Sequence, residues 1–310
     1  MAIPNYPLTT GAVVLGLVAG PDGNIWASGY VGSQGYVWVV SRLTGAILAT
    51  YTPATYTQFS GILSDGSNLW AAAYGTTPSF AKITTGGAFT FYSAPGVGGD
   101  GSQTQTMCFD GTLVWAVYGS NQLVSCTSGG VVTTYTNGAS PQLNTLFYAH
   151  GYKWSDNANI NVVQILTNTT NSQFAPPIVG TGPVYYADDG TNLWYAQLGG
   201  AGLTSFNPST PGVQTAYTSA PAGQTAKSVV YHGGLLWVGN SVNLSTSSII
   251  YSVSTSAAGT VITSYGLGVS AIIASICIDA DGFVWGGDLS TLHTGLWTNR
   301  AANAAIVMIV

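Results

Sequence analysis

Tyr30, Tyr74 and Tyr118 each follow a tryptophan, by four, four and three residues, and Tyr56, Gln58, Asp100, Gln103 and Gln105 lie in neighbouring stretches of the chain. A phenol ring offers a flat apolar face, and neutral amides offer donors and acceptors side by side. Together they suit a sugar ring and its hydroxyls. Tyr30, Tyr74, Tyr118, Asp100 and Gln103 are therefore the candidate ligand-binding residues; the competing reading is that these tyrosines cover strand ends. Acid–base and metal chemistry have less to work with. All ten acidic residues are Asp and there is no Glu. The close carboxylate pairs are Asp188/Asp189 and Asp279/Asp281, whereas a calcium site needs several carboxylates converging, so no metal or cofactor is expected. His293 has no orienting partner at a readable spacing, and a general base needs one. Cys108, Cys126 and Cys277 lack metal-ligand spacing and read as buried free thiols. No nucleophile elbow, phosphate loop or His-Glu-Xaa-Xaa-His motif occurs.

What must position these residues is a repeat. Asp22-Gly23-Asn24-Ile25-Trp26 returns as Asp65-Gly66-Ser67-Asn68-Leu69-Trp70, Asp110-Gly111-Thr112-Leu113-Val114-Trp115, His150-Gly151-Tyr152-Lys153-Trp154, Asp189-Gly190-Thr191-Asn192-Leu193-Trp194, His232-Gly233-Gly234-Leu235-Leu236-Trp237 and Asp281-Gly282-Phe283-Val284-Trp285. The steps between these tryptophans are 44, 45, 39, 40, 43 and 48 residues. Asp-Gly supplies turn chemistry, and the short Val/Ile/Thr/Tyr-rich runs around it read as strands. Four strands in about 44 residues match one propeller blade. The expectation is an all-β, seven-bladed propeller of four-stranded antiparallel blades, a single domain over 1–310. Its blades run about 11–52, 53–93, 94–136, 137–175, 176–218, 219–266 and 267–310, after an N-terminal arm at 1–10.

Trp26, Trp70, Trp115, Trp154, Trp194, Trp237 and Trp285 are then scaffold, sandwiched between adjacent blades. Trp38 and Trp297 fall outside that register and become the candidate partner-facing aromatics. Tyr51, Tyr92, Tyr135, Phe174, Tyr217 and Tyr265 close most repeats. In the seventh repeat the same distance lands in Ile306–Val310, so the last blade is expected to supply its own outer strand. The competing reading gives that place to Tyr6-Pro7-Leu8.

Charged residues make up only 5% of the chain, against about 25% in an ordinary globular protein. Arg42, Lys82, Lys153, Lys227 and Arg300 are scattered, which argues against nucleic-acid binding. The N-terminus lacks the basic n-region of a secretory signal, and no run of 18 apolar residues predicts a membrane span.

Tyr6-Pro7-Leu8 followed by Gly20-Pro21-Asp22-Gly23-Asn24-Ile25-Trp26 is similar to the repeat of the virginiamycin B lyase-like propellers and of the broader NHL and gluconolactonase-like group. The resemblance implies a six- or seven-bladed propeller. It also implies that lyase activity would need a His base with Glu and His residues near a magnesium ion. With no Glu present, and with His150 and His232 standing in the slot of the turn Asp, no catalytic residue carries over. The functional expectation is a non-enzymatic structural or adhesion protein, a bacteriophage tail, fibre or decoration component. It would sit in the virion, in an oligomeric assembly with other virion or surface proteins, and touch a host glycan. The alternatives are a carbohydrate-binding, lectin-like propeller outside a virion, extracellular or at a cell surface, and a virginiamycin B lyase-like enzyme.

Overall fold

The computed structural model describes residues 5–94, 106–118, 122–136, 143–157, 161–177, 183–197, 202–217, 224–242, 249–256, 260–267, 272–289 and 295–298. They form seven four-stranded antiparallel sheets, each hydrogen-bonded in chain order from innermost to outermost strand in blades 1 to 6. The protein is a seven-bladed β-propeller. Blade 1 illustrates the unit: Ala12–Ala19 lines the axis, Ile25–Val31 and Gln34–Val40 follow, and Ile47–Tyr51 is the rim. Small polar turns join them because Gly23 and Gly45 have φ of 76° and 71°, a region that costs glycine nothing.

Blade 7 corrects one expectation. Its strands Ile273–Ile278, Val284–Asp288 and Gly295–Thr298 are completed by the N-terminal Asn5–Pro7, with Asn5, Tyr6 and Pro7 opposite Trp297, Leu296 and Gly295. The ring is thus closed by the start of the chain. Tyr6 takes the place of the blade-ending tyrosine and stacks on Trp285 at 5.8 Å. The stretch 306–310, expected as the outer strand, lies outside the described residues.

The core is divided into seven seams. The register tryptophan of each second strand sends its indole into the next blade: Trp26 packs with Phe59 and Ile62 of blade 2, Trp70 with Met107 and Val114 of blade 3, and Trp115 with Leu146 and Val163 of blade 4. Trp154, Trp194, Trp237 and Trp285 continue the series, the last reaching Ala12, Val14 and Leu17 of blade 1. All seven are buried. Because strand side chains alternate, the neighbouring residue faces the preceding blade instead. This is why Trp38 and Trp297 are not partner-facing. Trp38, opposite Ala27, is fully buried in the seam between blades 7 and 1 and donates to Thr9 Oγ1 at 3.1 Å. Trp297, opposite Gly286, is 4% exposed in the seam between blades 6 and 7.

Outer-strand tyrosines roof these seams. Tyr51, Tyr92, Tyr135, Tyr217 and Tyr265 stack on Trp26, Trp70, Trp115, Trp194 and Trp237 at 5.4–6.2 Å. Tyr6, Tyr51 and Tyr92 press on the hairpin of the next blade, at Gly45, Gly87 and Gly130. A Cβ added at Gly87 would stand 2.2 Å from the Tyr51 ring, at a φ of +84° that side chains avoid. Gly87→Val is therefore expected to destabilise the fold by about 2–4 kcal/mol, through overpacking and backbone strain together. Urea titration of the two proteins reads this directly; an unchanged midpoint would remove the roof from the account.

Candidate functional site

The turn face, where first strands pass into second strands, carries seven of the ten aspartates: Asp22, Asp65, Asp110, Asp188, Asp189, Asp279 and Asp281. Their chemistry is structural. The Asp65 carboxylate accepts from the Ser67 and Asn68 N–H groups at 2.9 and 2.7 Å and from Trp70 Nε1 at 2.7 Å. Asp110 and Asp189 do the same for Trp115 and Trp194, each indole bond being 2.6 Å, and Asp22 holds Trp26 at 2.9 Å. One short side chain thus closes the turn and anchors the seam tryptophan. In blade 7 this role belongs to Asp279, which accepts from Trp285 Nε1 at 2.9 Å, rather than to the Asp281 that aligns in the repeat. Asp281 instead pairs with Arg42 of blade 1.

These bonds set a pH dependence. Burial alone would raise the pKa of Asp65 and Asp110, but the hydrogen bonds from Trp70, Asn68 and Ser67, and from Leu113, Trp115 and Thr112, outweigh it and the net shift is downward. A carboxyl held below its unfolded pKa, about 3.9, stabilises the native state above that value and loses the effect as pH falls through the folded pKa. The protein is therefore expected to lose stability below about pH 4, and Asp65→Asn/Asp110→Asn to show a flatter profile there. Thermal midpoints between about pH 2.5 and about pH 6 test this, and parallel profiles would refute it.

Cations are placed between blades. Lys82 Nζ donates to Ser128 O at 3.0 Å and lies 5.5 Å from the Trp70 ring centre. Lys153 sits 4.0 Å over Trp115, whose indole leans on Asp110, and burial lowers its pKa. His150 Nε2 is 3.1 Å from Asp188 Oδ1 on blade 5. The adjacent acids noted in the sequence therefore diverge: Asp188 faces His150 while Asp189 holds Trp194, and Asp279 holds Trp285 while Asp281 pairs with Arg42. Among the described residues, no group of three or more metal-ligating side chains converges.

Two further carboxylates are buried. Asp156, at the end of blade 4's second strand, accepts from Thr145 N, Thr145 Oγ1 and Asn144 Nδ2 at 2.8, 2.6 and 3.0 Å, and burial pushes its pKa up. Asp288, similarly placed in blade 7, accepts from Ile272 N at 3.0 Å. Both pin the loop entering the innermost strand. The sequence reading missed them because nothing in their local pattern differs from a surface Asp; their position two or three residues after the seam tryptophan was the available signal.

The central channel has a volume of about 490 Å³, and its wall includes Leu17, Met107, Phe147, Tyr148, Tyr231 and Asp188. Cys108 also borders it, with its thiol pushed well above the usual range by burial; all three cysteines are free and buried, Cys126 being raised to about 11.

Of the predicted ligand residues, the described structure places the side chains of Tyr30 and Tyr74. Tyr30 is half-buried at the end of its strand on the face opposite the Asp turns. Tyr74, at the same place in blade 2, is 7% exposed and packs with Met107 in the seam, so its ring is not offered to a ligand. The Tyr118 backbone is in strand Val114–Tyr118; Asp100, Gln103, Gln105 and His293 lie outside the described residues. Large apolar side chains are exposed instead at the third-to-fourth-strand hairpins of the turn face: Leu43, Val131, Leu166 and Val213 are 48–72% exposed.

No family model and no curated protein matches the chain. Among solved structures, it is similar to a catalytically inactive variant of virginiamycin B lyase from Staphylococcus aureus with quinupristin. The identity is 17% over 96% of this chain and 98% of that one, with a TM-score of 0.75. It also resembles the extracellular domain of a putative hybrid two-component system from B. thetaiotaomicron, at 15% identity and a TM-score of 0.69. That match covers 98% of this chain but only 40% of the other. The Neurospora crassa Pan2 WD40 domain matches at 10% identity over 94% and 89% of the two chains, with a TM-score of 0.65. These likenesses establish the propeller fold, as the repeat implied.

Proposed function

We propose that this chain is a non-enzymatic structural and adhesion propeller, a bacteriophage tail, fibre or decoration component that recognises a protein partner or host glycan through its loop faces. The observation that carries the reading is the employment of the carboxylates. Every described Asp accepts a hydrogen bond or ion pair from the protein's own frame. A set of acids committed to turns and seams leaves recognition to neutral side chains, in keeping with a chain that is 5% charged. The exposed apolar hairpin tips on the turn face fit attachment to a larger assembly.

Antibodies against the chain are expected to decorate a defined substructure of particles from the source in electron micrographs, and the purified chain to bind whole host cells. Consumption of quinupristin by the chain, with neither decoration nor cell binding, would replace this reading with a lyase-like one.

A further inference from the structure

The seam between blades 4 and 5 departs from the repeat at four places. His150 replaces the turn Asp and points across the seam to Asp188, so Trp154 Nε1 donates to the Ala149 carbonyl at 3.2 Å. His150 is also the one described non-glycine residue with positive φ, 52°. Six seams are roofed by a Trp–Tyr stack, whereas Phe174 makes none on Trp154; that indole meets Phe206 at 5.1 Å and the edge of Tyr152 at 6.3 Å. The hairpin that should press on the roof is drawn back. A Cβ at Gly212 would stand 3.7 Å from Phe174, against 2.1–2.2 Å at Gly45, Gly87 and Gly130. Two successive turns, Thr210 N to Asn207 O and Val213 N to Thr210 O, lengthen this hairpin.

The result is a groove of about 530 Å³ on the turn face, within the ~300–1,000 Å³ typical of small-molecule sites. Its floor holds Gln164, which stands opposite Trp154 in the third strand, where the other blades have Val39, Lys82, Ser125, Ser205, Ser252 and Thr298. Gln164 is 8% exposed and lines the groove, which places its neutral amide where a bound group could reach it. Tyr152, 38% exposed, forms a wall. Asn207 uses its carbonyl oxygen on Ser209 N, leaving its Nδ2 donor, and the Thr191 and Ser209 hydroxyls stand alongside.

An aromatic face, two neutral amides and two hydroxyls around a walled groove match the apolar face and equatorial hydroxyls of a pyranose. We propose that this groove is a binding site for a neutral saccharide, with the sugar face on Tyr152 and its hydroxyls on Gln164 and Asn207. It rests on the adhesion reading above and gives that reading a location and a ligand class.

The test is a glycan array printed with neutral hexose-, deoxyhexose- and N-acetylhexosamine-terminated oligosaccharides, probed with the whole chain. Its best ligand is then titrated by tryptophan fluorescence, since Tyr152 lies against Trp154. Tyr152→Ala and Gln164→Ala are each expected to weaken binding at least about tenfold. Tyr152 is exposed, so its variant keeps the fold even if Gln164→Ala does not. Undiminished binding by a folded Tyr152→Ala, loss on Tyr30→Ala instead, or no array binding by the wild-type chain would each overturn the groove. In all three cases, decoration of particles and binding to whole cells still judge the adhesion reading separately.

Discussion

Deleting residues 1–8 is expected to lower the thermal midpoint by about 10 °C and to make the protein self-associate. The segment contributes the outer strand of blade 7, the Tyr6 roof on Trp285 at 5.8 Å, and Leu8, which is 8% exposed in the seam between blades 7 and 1. Burying Leu8 and part of Tyr6 and stacking the rings stabilise by about 4 kcal/mol together, and in a chain of this size each kcal/mol moves the midpoint by roughly 2–4 °C. Removal also bares the backbone edge of Gly295–Thr298, a template for pairing with another molecule. Calorimetry and size-exclusion chromatography measure both effects. A truncated chain that melts with the full one, as a monomer, would show that the seventh blade closes by another strand.

Trp70→Ala is the second large effect, expected to cost about 3–5 kcal/mol, the range for emptying a fully buried large aromatic. The indole is completely buried between blades 2 and 3 and donates to Asp65. Trp70→Phe separates the two contributions. It retains most of the apolar filling but leaves Asp65 Oδ2 without its donor, for a loss of about 1–3 kcal/mol. Denaturant titration of the pair resolves them. If phenylalanine costs as much as alanine, the hydrogen bond rather than the volume holds the seam; if phenylalanine costs nothing, the carboxylate serves the turn alone.

Much of the architecture was legible because a repeated residue has a repeated environment. The Asp-Gly or His-Gly phrase before each register tryptophan encodes a turn, and the 39–48-residue step encodes a blade. The cysteines were legible as buried thiols from the apolar strands that carry them. The candidate site was far less so. Tyr30 and Tyr74 occupy matching positions in sequence, yet one is half-buried and the other seals a seam, because adjacent blades bring different neighbours against them. Trp38 looked free only because it broke the register. Alternation sends it to the other side of its own sheet, where blade 7 covers it.

Local turn chemistry, and an apolar period that each unit carries within itself, suffice to set the number of blades, their four-strand composition and the burial of the seven register tryptophans. Which strand closes the ring, which aspartate holds which indole, and that the seam between blades 4 and 5 stands open were decided by the assembled fold. Each of these depends on contacts between residues tens to hundreds of positions apart, such as Tyr6 with Trp285 or His150 with Asp188, and no local pattern records what a neighbouring blade will press against.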